Sequence, residues 1–234
     1  MKPILLLPLV LALPAFAGTP APVTPAPQAP AEQGWTLGLE ILALQPYQSE
    51  GGYDDNNFDV AFRGSLGYQF IDGLFVKATY FGYQTGTDTN EDLSTQYIDA
   101  VVGQKFQPME KLSISPFIGA RWASFQEDYA AADFDGFGIV LGFDATRSLV
   151  NNFSLYATAK QSVLFGTLDY KGDGYDTTCF ISEFGAGLQY DFCLGGVTGN
   201  ARLGVEGQYW TGSSDWDSEA TGLFGFGLGV NFRF

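Results

Sequence analysis

Histidine is absent from this chain of 234 residues, and Cys and Met occur twice each. Without an imidazole there is no histidine acid–base catalyst, no Ser-His-Asp arrangement and no mixed Cys/His zinc set. Cations are scarce too. Eleven Lys and Arg stand against 26 Asp and Glu, and the net charge of −15 excludes a basic face for nucleic acid. No Walker-type loop or other cofactor motif occurs, so no cofactor is expected. Also missing is any stretch near the ~20 continuous apolar residues of a transmembrane helix. What the chain has instead is 30 Gly, 21 Phe and 12 Tyr. Hydrophobic residues make up 46%, yet the mean hydropathy is only +0.03. Apolar and polar residues must therefore alternate, as they do in strands.

Residues 1–17 carry Lys2, an apolar run over 4–13 and Ala15-Phe16-Ala17, the pattern of a secretory signal cut after Ala17. No Cys lies beside that cut to take a lipid anchor. Residues 18–33 space five prolines among Ala, Thr and Val. They predict an extended Pro/Ala-rich tether of roughly 50 Å at ~3.1 Å per residue, or a spacer that docks the cell wall. Residues 34–234 read as one domain.

From Trp35 onward the period is two. Strands are expected at 35–45, 58–70, 74–84, 95–106, 112–125, 134–146, 153–165, 180–192, 197–210 and 223–234. The last is the clearest. Phe224, Phe226, Leu228, Val230, Phe232 and Phe234 share one face, while Gly225, Gly227, Gly229, Asn231 and Arg233 share the other. Short turns at 71–73, 108–111, 151–152 and 195–196 alternate with long connections at 46–57, 85–94, 126–133, 167–179 and 211–221. Aromatic residues fall at both ends of the apolar faces: Trp35, Phe70, Phe106, Phe153, Phe192 and Phe234 at one, Phe58, Tyr80, Trp122, Phe165 and Tyr209 at the other.

The closing strand resembles that of bacterial outer-membrane β-barrels, which end on an aromatic insertion signal, here Phe234. The fold expected is all-β, a closed antiparallel up-and-down transmembrane barrel of about ten strands, within a range of roughly 8–12. Lipid then covers the apolar faces, and lipopolysaccharide and the barrel-assembly machinery become the expected partners. The location implied is the outer membrane of a diderm bacterium. A soluble β-sandwich or lipocalin-like cup would turn the same apolar faces inward. Against it, the charged faces are also rich in Gly and Ser, as a crowded barrel interior requires.

The inner faces carry Glu40, Asp59, Arg63, Lys77, Asp99, Lys105, Arg121, Asp144, Lys160, Glu183, Arg202, Glu206 and Arg233. These are the candidate pore-lining residues. They either border a narrow water path or close it with ion pairs. Gly185, Gly187, Gly225, Gly227 and Gly229 leave room for a small passage, or for bulky Tyr156, Phe117 or Phe125 from across the lumen. Glu183 and Glu206 are expected to meet near Arg202. Paired carboxylates suit acid/base chemistry, but with no nucleophile and base beside them a salt-linked cluster is the reading. Cys179 and Cys193 fall at opposite ends of one strand, roughly 45 Å apart at ~3.3 Å per residue, too far for a disulfide.

Acidic residues crowd the long connections, among them Asp54, Asp55, Asp88, Asp92, Asp128, Asp133, Asp169, Asp173 and Asp217. Such a rim concentrates cations. The oxygen-rich stretch 171–176 suits Ca²⁺ or Mg²⁺, including ions bridging to lipopolysaccharide, although no EF-hand spacing occurs. The alternative is a set of solvated acidic loops.

Three stretches, 62–68 (FRGSLGY), the hairpin over 150–166 and 204–210 (GVEGQYW), together with the closing strand, are similar to the Legionella-type family of pore-forming major outer-membrane proteins. The resemblance implies a pore or surface protein of the envelope, here a small porin passing ions and small solutes with a cation preference. The alternative is a closed structural or adhesive barrel whose loops bind divalent cations, lipopolysaccharide or a host partner. The outer-membrane barrel enzymes that rely on a catalytic histidine find no counterpart here, so no enzyme is expected.

Overall fold

Alternating apolar and small polar residues become antiparallel strands in the computed structural model, which describes residues 33–48, 57–85, 93–127, 132–170, 172–212 and 220–234. The strands are β1 (Gly34–Gln48), β2 (Asp59–Gln69), β3 (Leu74–Gln84), β4 (Leu93–Gln104), β5 (Phe106–Met109), β6 (Leu112–Glu127), β7 (Ala132–Ser148), β8 (Phe153–Tyr170), β9 (Asp173–Leu194), β10 (Val197–Thr211) and β11 (Ala220–Arg233). β4 and β5 both pair with β6 and form one wall strand, so the wall has ten positions. Their break is local. The Lys105 amide donates to the Gly73 carbonyl at 2.9 Å instead of joining the ladder. Pro108 cannot donate at all, and the β5–β6 register shifts around it.

Each strand pairs with its neighbour in sequence, and β1 pairs antiparallel with β11 from Thr36↔Arg233 to Gln48↔Thr221. The main chains of Trp35 and Phe234 exchange hydrogen bonds of 2.9 and 3.1 Å, which fastens the last residue to the start of the sheet. Closure leaves no edge, as the bilayer demands. The inner-end turns follow their residues. Gly195 (φ 57°) and Gly196 (φ 94°) form the two-residue β9–β10 turn, and Asn151 takes φ 50° between β7 and β8.

Three boundaries differ from expectation. Residues 167–179, expected to be a long connection, are ladder: Thr167↔Asp176 through Tyr170↔Asp173 continue the β8–β9 pairing into a tight hairpin. β1 runs on through Pro46, where a loop was expected. Pairing with β2 ends at Leu44↔Asp59, so nothing on that side requires the missing N–H. β6 and β7 likewise extend to Glu127 and from Ala132. Residues 1–32, which hold the expected leader and nearly all of the expected tether, and the segments 49–56, 86–92, 128–131 and 213–219 lie outside the described residues.

The predicted outward faces are exposed. Ile41 is 61% accessible, Leu228 59% and Phe226 54%. A belt of this kind is stable only against lipid. β9 is continuous between Cys179 and Cys193, and both thiols are free, Cys179 buried and Cys193 exposed. A membrane-impermeant maleimide should therefore label one thiol in the folded protein and two after denaturation. Two labels without denaturation would contradict the inward placement of Cys179.

Candidate lumenal site

Inside the wall the side chains form three layers. At the inner end is a vestibule of about 730 Å³ bordered by Lys105, Lys111, Gln189, Asp191, Arg202 and Arg233. It continues into a chamber of about 190 Å³ lined by Glu40, Arg63, Lys77, Asp144, Tyr156, Arg202 and Glu206, among others.

The middle layer is ionic, and strand register assembles it. Asp99 is directly opposite Arg121 on β4 and β6, and Lys160 directly opposite Glu183 on β8 and β9. Arg121 then crosses the lumen. Its Nε and Nη2 donate to the two Asp99 oxygens at 2.6 and 2.7 Å, and Nη1 donates to Glu183 Oε1 at 2.5 Å. Glu183 Oε2 also accepts from the Tyr97 hydroxyl at 2.8 Å and from Lys160 Nζ at 3.2 Å. The Arg121 guanidinium lies 3.9 Å from the centre of the Tyr97 ring, which stacks on Phe81 at 4.9 Å. Beside this cluster, Arg63 donates to Glu40 Oε2 and Glu206 Oε2, both at 2.8 Å, and through Nη2 to Glu206 Oε1. Lys77 and Asp144 pair at 3.5 Å, with Lys77 Nζ 5.4 Å from the centre of the Phe117 ring.

Above the ionic layer the outer half of the barrel is apolar. Leu44, Phe81, Phe125, Phe134, Leu164, Ile181 and Trp210 are all 0% exposed and belong to one cluster. The Phe125 and Trp210 rings lie 5.8 Å apart. Side chains thus fill the outer lumen as they fill the core of a soluble protein.

The structure places the predicted residues unevenly among these layers. Glu40, Arg63 and Glu206 form one ion-pair group, Asp99, Arg121, Lys160 and Glu183 another, and Lys77 and Asp144 a third. Lys105 and Arg233 border the vestibule. Asp59 stands at the outer end of β2 opposite Leu44. The expected meeting of Glu183, Glu206 and Arg202 is corrected. Glu206 is opposite Gly185 and Glu183 opposite Gln208, so the two carboxylates engage different arginines. Arg202 turns instead to Gln189 and Tyr156. Tyr156 and Phe117 do lean inward over glycine. A Cβ at Gly204 would collide with the Tyr156 hydroxyl, and one at Gly142 would lie 2.8 Å from Phe117 Cζ.

Sequence reasoning missed Tyr97, Phe81, Leu42, Leu44 and Trp210. A signal existed. At 42–44 (LAL) and 80–83 (YFGY), apolar residues occupy both faces, so the alternation breaks at the outer ends of strands.

Beyond the outer aromatic ring, Asp133 is directly opposite Asp169, with Asp135 two residues along on the same face. Partial burial and these two like charges raise the Asp135 carboxyl above its ordinary range. Among the described residues no group of three or more His, Cys, Asp or Glu is arranged to hold a metal ion. A raised acid pKa means that folding disfavours the charged form, so the stability present below the unfolded value near ~3.9 is lost as pH rises from there through the raised folded value. Asp135→Asn should then stabilise the barrel at pH 7 by only about 0.3 kcal/mol, because the group is screened. The gain should vanish below roughly pH 4. Paired urea titrations at the two pH values test this, and an equal gain at both would refute it.

A family model described as Legionella pneumophila major outer membrane protein precursor matches residues 28–192. No curated protein matches the sequence. Among solved structures, the outer membrane protease OmpT from Escherichia coli aligns with a TM-score of 0.50 at 10% identity, over 86% of this chain and 97% of that one. Neisserial surface protein A gives 0.41 at 15% identity over 86% and 97%. The CymD monoaromatic hydrocarbon channel gives 0.38 at 9% over 87% and 89%. At 10% identity the likeness to OmpT is one of fold.

Proposed function

The chain belongs to the family of the Legionella pneumophila major outer membrane protein and is an outer-membrane β-barrel, and from that premise we propose that it works as a closed barrel displaying an acidic outer surface. The observation that supports this reading is the filled lumen. A porin needs a continuous water path, whereas here a desolvated ionic layer and a dry apolar layer lie in series. In a low-dielectric interior each ion must shed several kcal/mol of hydration to pass such layers. The acidic residues of the outer rim, including Asp133, Asp135 and Asp169, then form the face that meets lipopolysaccharide and divalent cations. The β11 strand ending at Phe234 is the segment offered to the assembly machinery during insertion.

One observation favours the small porin instead. The vestibule and chamber together penetrate from the inner end to the ionic layer and need only the outer core to move aside. Planar-bilayer recording of the refolded protein separates the two. Silence from a heat-modifiable, folded barrel is the expected result. Regular cation-selective steps at low voltage would overturn the closed reading and make Arg63, Arg121, Glu183 and Glu206 the residues of the constriction.

A further inference from the structure

Four of the five cations facing the middle of the lumen have a carboxylate within 4.0 Å: Arg63, Lys77, Arg121 and Lys160. Arg202 has none. Its Nε donates to Gln189 Oε1 at 2.8 Å, and its guanidinium lies 4.9 Å from the centre of the Tyr156 ring. Gln189 is itself oriented, because its Nε2 donates to Asp191 Oδ1 at 2.7 Å and so turns its carbonyl oxygen towards Arg202. One edge of the guanidinium is therefore tied to the wall and one face is stacked on an aromatic ring. Among the described residues the terminal nitrogens have no protein partner, and the side chain borders both the chamber and the vestibule.

These terminal donors are not shut off from solvent, so an acceptor that enters through the vestibule has only water to displace from them. The surroundings select the sign. Lys77, Lys105, Lys111, Arg202 and Arg233 border the vestibule against Glu110, Asp144 and Asp191, two more positive than negative charges in a chain whose net charge is −15. Planar fork geometry matches the two oxygens of a carboxylate or phosphate.

We propose that the vestibule is a binding site for small oxyanions, phosphates or carboxylates, entering from the periplasmic end, with Arg202 as the bidentate anchor held by Gln189 and Tyr156. The site opens inward and does not depend on the outer core being closed.

Titration calorimetry of the refolded full chain with inorganic phosphate, and separately with succinate, tests it. Saturable binding is expected in the native protein. Arg202→Gln and Arg202→Lys should each weaken it by about tenfold or more, the lysine because it keeps the charge and loses the fork. Arg147→Gln, which removes an exposed positive charge from outside the vestibule and chamber, should change affinity by less than about twofold, since screened charges contribute little. The heat-modifiable shift on gels confirms folding of each variant, and Arg202→Lys serves if Arg202→Gln does not fold. Absence of saturable binding, or equal weakening in Arg147→Gln and the Arg202 variants, would overturn the proposal and leave only general attraction of anions to a positive charge.

Discussion

Arg121→Met will lower the unfolding free energy by about 3–5 kcal/mol, the cost of stranding buried charges by removing their partner. Arg121 is 0% exposed and satisfies both Asp99 oxygens and one oxygen of Glu183. Without it, two carboxylates with 4% and 3% side-chain exposure share Lys160 as their one cation within 4.0 Å among the described residues, at 4.0 and 3.2 Å, and Glu183 keeps the Tyr97 hydroxyl. Adding Glu183→Gln removes one stranded charge and leaves Asp99 balanced by Lys160, so the double variant should recover more than half of the loss. Urea unfolding midpoints at unchanged slope measure both effects. A cost below about 1 kcal/mol for Arg121→Met would mean that the layer is hydrated and the lumen wetter than its geometry implies.

Trp210→Ala and Phe125→Ala will each cost about 3–5 kcal/mol, as large-to-small changes in a packed interior do. Both rings are 0% exposed and stand 5.8 Å apart, so the double variant should cost less than the sum. The same pair reduces the outer closure to the ionic layer. Brief single-channel openings should then appear in bilayers where the unmodified barrel is silent. If both substitutions cost under about 1 kcal/mol, the apolar layer contributes little, and closure must come from elsewhere at the outer end.

Much of the wall was legible in the sequence because a period of two is a strong signal once every strand shows it. The inward placement of Arg63, Arg121 and Glu183 follows from counting residues, as does the separation of Cys179 from Cys193 along β9. Partnerships were not legible. Glu183 and Glu206 lie on adjacent strands, but the register offsets them by two residues and long arginines reach across the lumen. No local pattern encodes that reach. The outer core was hidden for another reason. Reading each inner face for its polar residues passed over Leu44, Phe81 and Trp210, which point inward like their polar neighbours but lie nearer the outer end, where the inner face turns apolar. The β8–β9 hairpin was mistaken for a loop because its Asp and Gly residues look like turn residues, although they are ladder members.

Arg63 stands on β2, Glu40 on β1 and Glu206 on β10, so this ion-pair group straddles the junction where β1 meets β11. That junction is the seam that must be sealed last, since its strands come from opposite ends of the chain. Arg63 and Glu206 are 143 positions apart in sequence and can meet only when the seam is shut. Lateral parting of β1 from β11 would pull Arg63 off Glu206 and leave it with Glu40 on its own side of the seam. The barrel is therefore fastened from within by a clasp across its own seam, and escape of material sideways into the bilayer is opposed by electrostatics as well as by the hydrogen bonds of the sheet.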